Sequence, residues 1–197
     1  MFDPCAQCEQ CQDVYLQPGG VHFGHACTRI RTLLGSCVAV TFWHPQQRLG
    51  GMCHIMMPSR RQRPQGVALD GRYADEALAM LYQEMRARGT LPQQYVVKLF
   101  GGSTMFPGKM SHPISVENLR SVHEELQKNG MKIAVEEVGG ESSRQIIFDV
   151  WSGAVWSRQN ANTLTTSAGS VSAKAEKIKS PMCPLPVLRQ ELDHERN

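Results

Sequence analysis

The sequence predicts a mixed α+β domain, in which strands form a two-layer β core and helices pack outside it. Several short apolar runs rich in β-branched residues are joined by links of hairpin length, as expected for strands. Two other segments carry apolar residues at helical spacing. The two kinds of segment alternate irregularly, which disfavours a regular doubly wound parallel sheet.

The N-terminal half is predicted to consist mainly of strands. A short strand is expected at 14–16, before a Gly-Gly turn. Residues 38–42 form an apolar, β-branched run, and a second strand at 49–56 stops before a proline. Because the link 43–48 is short, these two strands should pair as an antiparallel hairpin.

Two helices and four strands are predicted after residue 73. The first helix, 74–88, has apolar residues every three or four positions and is followed by Gly89, a residue that favours helix ends. The second helix begins near Ser115, an N-cap residue, and ends at 129–130. Strands are expected at 95–100, 132–137, 145–148 and 153–156.

One folded domain is predicted at 13–158, between a flexible leader at 1–12 and a flexible tail at 159–197. A chain of 197 residues suits a single domain with a substantial core. The leader is polar and rich in Cys and Gln, and the tail is rich in Asn, Thr, Ser and Ala. Segments of such composition bury too little apolar surface to offset the entropy of ordering them.

Charge and hydropathy exclude several classes of protein. The net charge of +3 is small and the basic residues are scattered, so neither nucleic-acid binding nor a membrane surface is expected. No apolar run reaches the length that spans a bilayer, and residues 1–12 lack the features of a signal peptide. A cytoplasmic location is therefore expected, with the seven cysteines as thiols or ligands rather than disulfides.

Cys37 and His54 are the candidate catalytic pair, because the predicted hairpin can bring them together. An imidazole that takes the proton of a thiol holds the resulting thiolate, lowers the pKa of the thiol and makes it a nucleophile. Gly35 allows a tight turn before the thiol, so the backbone N–H groups of Ser36 and Cys37 could stabilise an oxyanion. This chemistry requires no metal or organic cofactor.

The other cysteines are interpreted differently. Cys53 alternates to the face of the strand opposite His54, so it should pack in the core. Cys5, Cys8 and Cys11 repeat every three residues, a spacing that metal sites use. The leader lacks a second ligand pair, so a metal site there is the less favoured alternative.

Six blocks, in order along the chain, resemble the CheD family of chemoreceptor glutamine deamidases, cytoplasmic enzymes of bacterial chemotaxis. Together they cover roughly residues 13–158. Single blocks of this kind recur by chance, whereas six in the family's order are specific. They are 14–19, 34–40, 54–58, 73–75, 98–105, and 137–140 with Arg144.

The resemblance implies a protein-glutamine deamidase that converts glutamines on the cytoplasmic helices of methyl-accepting receptors to glutamate. It implies a Cys-His acyl-enzyme mechanism with release of ammonia, and a fold similar to Cys-His toxin deamidases. The family also attributes a role to a threonine six residues before the nucleophile. That position is Arg31 here and Thr32 lies five back, so either the local path of the chain differs or another group orients His54. Thr32 is a candidate for this role, and Thr28 is a less favoured one.

Two further segments are candidates for substrate binding. Gly101, Gly102 and Ser103 are interpreted either as a wall of the cleft or as a simple strand-to-loop turn. The loop 59–71 is expected to be mobile, and it carries three arginines that either meet an acidic receptor surface or are merely solvated. Those arginines are Arg60, Arg61 and Arg63.

One alternative function stays open at this point. A chain with this fold could act as an adaptor that binds receptors or a CheC-type chemotaxis phosphatase, with little or no catalysis. The Cys37 and His54 pair favours the enzyme, whereas the displaced threonine and the Cys-rich leader allow the adaptor.

Overall fold

The computed structural model describes residues 11–60, 62–104 and 114–160. The described residues form nine strands, two α-helices and a short 3₁₀ turn at Pro92–Gln94. In chain order the elements are β1 (Gln12–Tyr15), β2 (Val21–His25), β3 (Thr28–Leu34), β4 (Val38–His44), β5 (Leu49–Ile55), α1 (Ala74–Ala87), β6 (Val96–Gly101), α2 (Ile114–Lys128), β7 (Ile133–Val138), β8 (Arg144–Asp149) and β9 (Val155–Gln159).

The strands form two mixed sheets, which confirms the predicted α+β class. The four-stranded sheet has the order β1-β3-β8-β9, and the five-stranded sheet has the order β2-β5-β4-β6-β7. The pairs β1–β3 and β6–β7 are parallel, and the other neighbours are antiparallel. The chain crosses from the four-stranded to the five-stranded sheet between β3 and β4, at residues 35–37.

Two apolar clusters show how the layers pack. One cluster joins the five-stranded sheet to α1 and α2, and it includes Val40, Leu81 and Leu126. The other joins the inner faces of the two sheets, and it includes Ile30 and Phe148. The order of layers is therefore sheet, sheet and helices, with both helices on the outer face of the five-stranded sheet.

Strands β2 and β3 were not predicted. β2 has no clear apolar alternation, because histidines and a glycine occupy most of it, and it pairs only with β5 at a sheet edge. In β3 the buried positions alternate between apolar residues and threonines, so half of its inward face looks polar in the sequence. The predicted hairpin is confirmed as β4 and β5.

No helix in the described ranges is long and apolar enough to cross a membrane. The predicted leader at 1–12 and tail at 159–197 lie almost entirely outside those ranges. Cys27 is disulfide-bonded, so the expectation that all seven cysteines are thiols or ligands is wrong at this position.

Candidate functional site

Cys37 and His54 lie on the same face of the β4–β5 hairpin. His54 pairs with Ala39, and Cys37 precedes Ala39 by two residues, so the cysteine and the histidine are diagonal neighbours. Cys37 packs against the cluster that also contains Ala39, between the two sheets. Cys53 belongs to the other cluster, on the helix side, and its thiol donates to the carbonyl of Val40 at 3.8 Å.

Thr32 approaches His54 from the opposite sheet. Thr32 and His54 are 0% and 2% exposed, and Thr32 Oγ1 lies 2.7 Å from Nδ1 of the imidazole. The same hydroxyl donates to the carbonyl oxygen of Leu16 at 2.9 Å. A carbonyl can only accept, so the single hydroxyl proton points to Leu16 and Oγ1 accepts from Nδ1–H. The remaining ring nitrogen, Nε2, is therefore unprotonated and free to accept a proton.

The alternation of side chains along β3 determines which of Arg31 and Thr32 faces His54. Thr32 shares the buried face with Ile30 and Leu34, whereas Arg31 lies on the outward face and forms an ion pair with Asp13. Arg31 thus cannot reach the histidine, and Thr32 presents its hydroxyl to it. A count of residues along the chain did not reveal this, because only the register of β3 decides which side chain faces inward.

The backbone around His54 is fixed by the segment after β1. The N–H of Gly19 donates to the His54 carbonyl at 2.8 Å, and the N–H of His54 donates to the Gly20 carbonyl at 2.9 Å. Leu16 supplies the carbonyl that orients the hydroxyl of Thr32. Sequence reasoning missed this role of Leu16, because a main-chain acceptor leaves no signature in residue type.

Burial keeps both members of the pair neutral at rest. It lowers the pKa of His54 to about 4, and it raises the pKa of the half-buried Cys37 thiol above its ordinary value. His54 Nε2 is buried and has no hydrogen-bond partner within the described chain, so no hydrogen bond joins it to Cys37. The expectation that the imidazole lowers the pKa of Cys37 is wrong for this state, because desolvation dominates.

The loop that carries Cys37 is held from behind by residues 101–103. Gly102 N–H donates to the carbonyl of Cys37 at 2.8 Å, and Ser103 N–H donates to the carbonyl of Gly35 at 2.9 Å. Gly101 has a φ of 106°, and a Cβ there would lie 2.3 Å from the Cys37 oxygen, so only glycine fits. Within the described residues, neither Ser36 nor Cys37 uses its N–H in a hydrogen bond.

Ser103 is completely buried, and its hydroxyl donates to the carbonyl of Ser142 at 2.7 Å. Its side chain therefore fixes the loop rather than forming an exposed wall. The contacts observed for Gly101, Gly102 and Ser103 support the Cys37 loop. Their contact with substrate stays a prediction.

The three arginines of the loop 59–71 differ in their surroundings. The Arg60 guanidinium lies 3.3 Å from Asp70 and 3.2 Å from Glu76, and 4.2 Å above the ring of Tyr73. These contacts fix Arg60 to the start of α1. Arg63 is exposed, and Arg61 lies outside the described residues. Receptor contact by the three arginines stays a prediction, and of the two described arginines Arg63 is the exposed one.

No group of three or more His, Cys, Asp or Glu side chains in the described part of the chain could hold a metal ion. Cys5 and Cys8, two of the leader cysteines, lie outside that part, while Cys11 is half-buried. The leader metal site, the less favoured alternative, stays untested because two of its three cysteines lie outside the described residues.

A half-exposed thiol and a buried histidine oriented by a hydroxyl are the groups used by thiol-dependent hydrolases, so fold and site together define a candidate of that class. The model of the family described as "CheD chemotactic sensory transduction" matches residues 56–159. The chain belongs to this family. That assignment confirms the resemblance seen in the sequence.

Curated relatives cover most of the chain. A protein of Pseudomonas syringae pv. syringae (strain B728a), named "Probable chemoreceptor glutamine deamidase CheD", is 48% identical over 150 residues, which are 74% of this chain and 84% of that protein. "Probable chemoreceptor glutamine deamidase CheD 3" of Dechloromonas aromatica (strain RCB) is 47% identical over 146 residues, 73% of this chain and 85% of that protein. A relative in Leptospira interrogans serovar Lai (strain 56601), named "Probable chemoreceptor glutamine deamidase CheD 1", is 37% identical over 163 residues, 77% of this chain and 95% of that protein.

Among solved structures, the chain is similar to the hypothetical protein YfiH of Bacillus licheniformis, with a TM-score of 0.38 and 15% identity. The match covers 60% of this chain and 49% of that one. A likeness this weak supports no statement about function.

Proposed function

We propose that this protein is a chemoreceptor glutamine deamidase in which Cys37 is the nucleophile, His54 the acid and base, and Thr32 the residue that orients His54. One observation carries the proposal: the Thr32 hydroxyl fixes Nδ1 of a buried His54 and leaves Nε2 unpartnered, on the same hairpin face as the Cys37 thiol. The curated relatives are named for this activity.

The first half of the reaction forms a thioester. The glutamine side chain enters beside Cys37, the thiol proton moves to His54 Nε2, and the thiolate attacks the carboxamide carbon. The negative charge that develops on the oxygen meets the free N–H groups of Ser36 and Cys37. The imidazolium then gives its proton to the departing nitrogen, and ammonia leaves.

The second half hydrolyses the thioester. A water molecule gives a proton to the neutral His54 Nε2 and attacks the acyl carbon. Collapse of the intermediate breaks the carbon–sulfur bond and returns the proton from His54 to the Cys37 sulfur. The glutamic acid side chain that is released then loses its proton to solvent and becomes the carboxylate. The Nδ1–H of His54 stays hydrogen-bonded to the Thr32 hydroxyl throughout, so only Nε2 takes up and releases protons.

The resting pair is neutral, and substrate binding changes this balance. A carboxamide bound beside Cys37 places its carbonyl oxygen near the N–H donors and its carbon within reach of the thiol. Proton transfer from sulfur to Nε2 is then coupled to the formation of the carbon–sulfur bond. A standing thiolate is therefore not required.

The test is mass spectrometry of a receptor cytoplasmic fragment after incubation with the protein. Each conversion of glutamine to glutamate adds about one dalton, since NH is replaced by O, and Cys37→Ala should abolish the change. Cys11→Ala is the matched control, because Cys11 is also a half-buried cysteine but lies outside the site. A fragment whose mass is unchanged by the wild-type protein would contradict the proposal.

The proposed partners follow from the proposed activity. The cytoplasmic helices of methyl-accepting receptors are the substrate, so the protein is proposed to act in the cytoplasm. A CheC-type phosphatase is a further proposed partner. The adaptor alternative predicts that Cys37→Ala keeps full receptor binding and full biological effect, whereas the deamidase proposal predicts that binding survives and the effect is lost.

A further inference from the structure

Arg144 is the largest fully buried side chain of the described residues, and the proposed reaction does not use it. It lies in β8 of the four-stranded sheet, paired with Leu34 at the end of β3. Its side chain is 1% exposed, and desolvation lowers its pKa. Burying a guanidinium is costly unless its donors are satisfied. The hydrogen-bond partners of Arg144 therefore indicate which segments of the chain its side chain holds in place.

The guanidinium reaches across to the five-stranded sheet. Its two terminal nitrogens donate to the carbonyls of Glu137 and Gly139, at the end of β7 and just beyond it. The Glu137 carboxylate lies 3.5 Å from the guanidinium and also accepts from the Ser157 hydroxyl of β9. Arg144 therefore ties the two sheets together where the chain turns after β7.

That turn carries the residues that hold the nucleophile loop. Gly139 N–H donates to the Gly101 carbonyl at 2.9 Å, and Thr104 N–H donates to the Gly140 carbonyl at 2.7 Å. The hydroxyl of Ser103 lies 3.2 Å from the carbonyl of Gly139, which Arg144 also contacts. The 137–142 turn thus holds 101–104 at several points.

The contacts then continue to Cys37 without a break. The amides of Gly102 and Ser103 bind the carbonyls of Cys37 and Gly35, which fixes the loop from behind. In this loop the N–H groups of Ser36 and Cys37 make no hydrogen bond within the described residues. The path from Arg144 to the proposed oxyanion donors therefore begins with the Arg144 side chain. It continues through main-chain hydrogen bonds and the Ser103 hydroxyl to residues 101–104, and through main-chain hydrogen bonds to the loop 35–37.

We propose that Arg144 is a positioning residue that fixes the loop 35–37, and with it the oxyanion donors and the thiol, through the 137–142 turn and residues 101–104. This inference rests on the proposed function. A lysine keeps the charge but cannot place two donors in the fork geometry of a guanidinium, so Arg144→Lys isolates the geometry from the charge. Arg158→Lys is the matched control, since Arg158 is exposed on β9 and its guanidinium donates to the side chain of Gln145, away from the 137–142 turn.

The experiment compares steady-state deamidation of a receptor fragment by the wild type, Arg144→Lys and Arg158→Lys. Arg144→Lys should lower kcat about ten- to a hundred-fold with KM within about two-fold, because misplaced donors weaken the transition state and not substrate binding. The pH dependence of kcat/KM should keep its shape, because the charge is retained. Arg158→Lys should match the wild type.

Amide hydrogen exchange provides a readout that does not depend on activity. In Arg144→Lys the amides of Gly102 and Ser103 should exchange faster, while those of β5 keep their protection. Unchanged exchange at both amides would overturn the inference. So would an unchanged kcat, a rise in KM alone, or a shifted pH profile, the last because it would mean that Arg144 acts through charge.

A second variant keeps the inference testable if Arg144→Lys does not fold. Ser103→Ala removes the side-chain link to the turn, and it should lower kcat with KM unchanged; a Ser103→Ala protein with wild-type kcat would overturn the inference. If the wild type itself deamidates nothing, the proposed function fails, and the exchange rates still decide whether Arg144 holds the loop.

Discussion

Replacing Thr32 with valine should reduce deamidation strongly, because it removes the hydroxyl that orients His54. Valine has nearly the shape of threonine, so the packing between the sheets is kept while Nδ1 of His54 and the carbonyl of Leu16 both lose their partner. Leaving such buried groups unpaired costs about 1–3 kcal/mol. The imidazole then lacks the acceptor that selects its tautomer and fixes its ring.

If that loss falls on the transition state, kcat should decrease about ten- to a hundred-fold, since about 1.4 kcal/mol corresponds to a factor of ten. The assay is the initial rate of ammonia release from a receptor fragment, measured together with the melting temperature of each variant. Thr32→Ser retains the hydroxyl and should stay within a few-fold of wild type.

Thr28→Val is the matched control for this prediction. Thr28 lies on the same strand and the same buried face, but its hydroxyl has no hydrogen-bond partner within the described residues. The substitution should therefore leave kcat unchanged and should not lower stability. A folded Thr32→Val protein with wild-type kcat would refute the assignment of Thr32 as the residue that orients His54.

Three further predictions concern pH, thiol reactivity and the arginine loop. Burial lowers the pKa of His54 to about 4 from an unfolded value of 6.5, so the free energy of unfolding should decrease as the pH falls from 6.5 to about 4, by at most about 3 kcal/mol. Denaturant titrations should show this loss. A His54→Gln protein that loses as much stability over the same pH range would contradict it. Iodoacetamide should label Cys37 at a rate that keeps rising above neutral pH, because burial raises the pKa of this thiol, whereas the fully buried Cys53, with a pKa of about 12, should stay unlabelled. Peptide mapping checks both expectations. A labelling rate of Cys37 that is constant from neutral pH upward would instead indicate a thiolate in the resting protein. Arg63→Gln should slow association with a receptor fragment in a salt-dependent way. Arg60→Gln should instead lower the melting temperature, because Arg60 is paired with Asp70 and Glu76. Equal association rates for Arg63→Gln and wild type at low salt would show that this loop is not part of the recognition surface.

The sequence predicted the hairpin and both helices because each has a clear local pattern. β4 is an uninterrupted apolar run, and α1 shows one apolar face followed by Gly89. These signals need only neighbouring residues, so they can be recognised without the fold. The α+β class followed from them.

The parts of the site that were missed depend on contacts between distant segments. Thr32 could be placed only by the register of β3, a strand whose buried face mixes threonine with apolar residues. The Leu16 carbonyl and the amides of Gly102 and Ser103 are main-chain groups, which every residue type provides. The raised pKa of Cys37 depends on how deeply the thiol is buried, which residue spacing does not report.

The location of the site between the two sheets divides its parts unequally. His54 lies on β5 of the five-stranded sheet, and Cys37 immediately precedes β4 of the same sheet, whereas Thr32 belongs to the four-stranded sheet. A small separation of the layers would withdraw the Thr32 hydroxyl from the imidazole, and it would also strain the contacts of Arg144 that are proposed to hold the Cys37 loop. We therefore expect the packing between the two layers to influence the proposed turnover in two ways, through the orientation of His54 and through the position of the Cys37 loop.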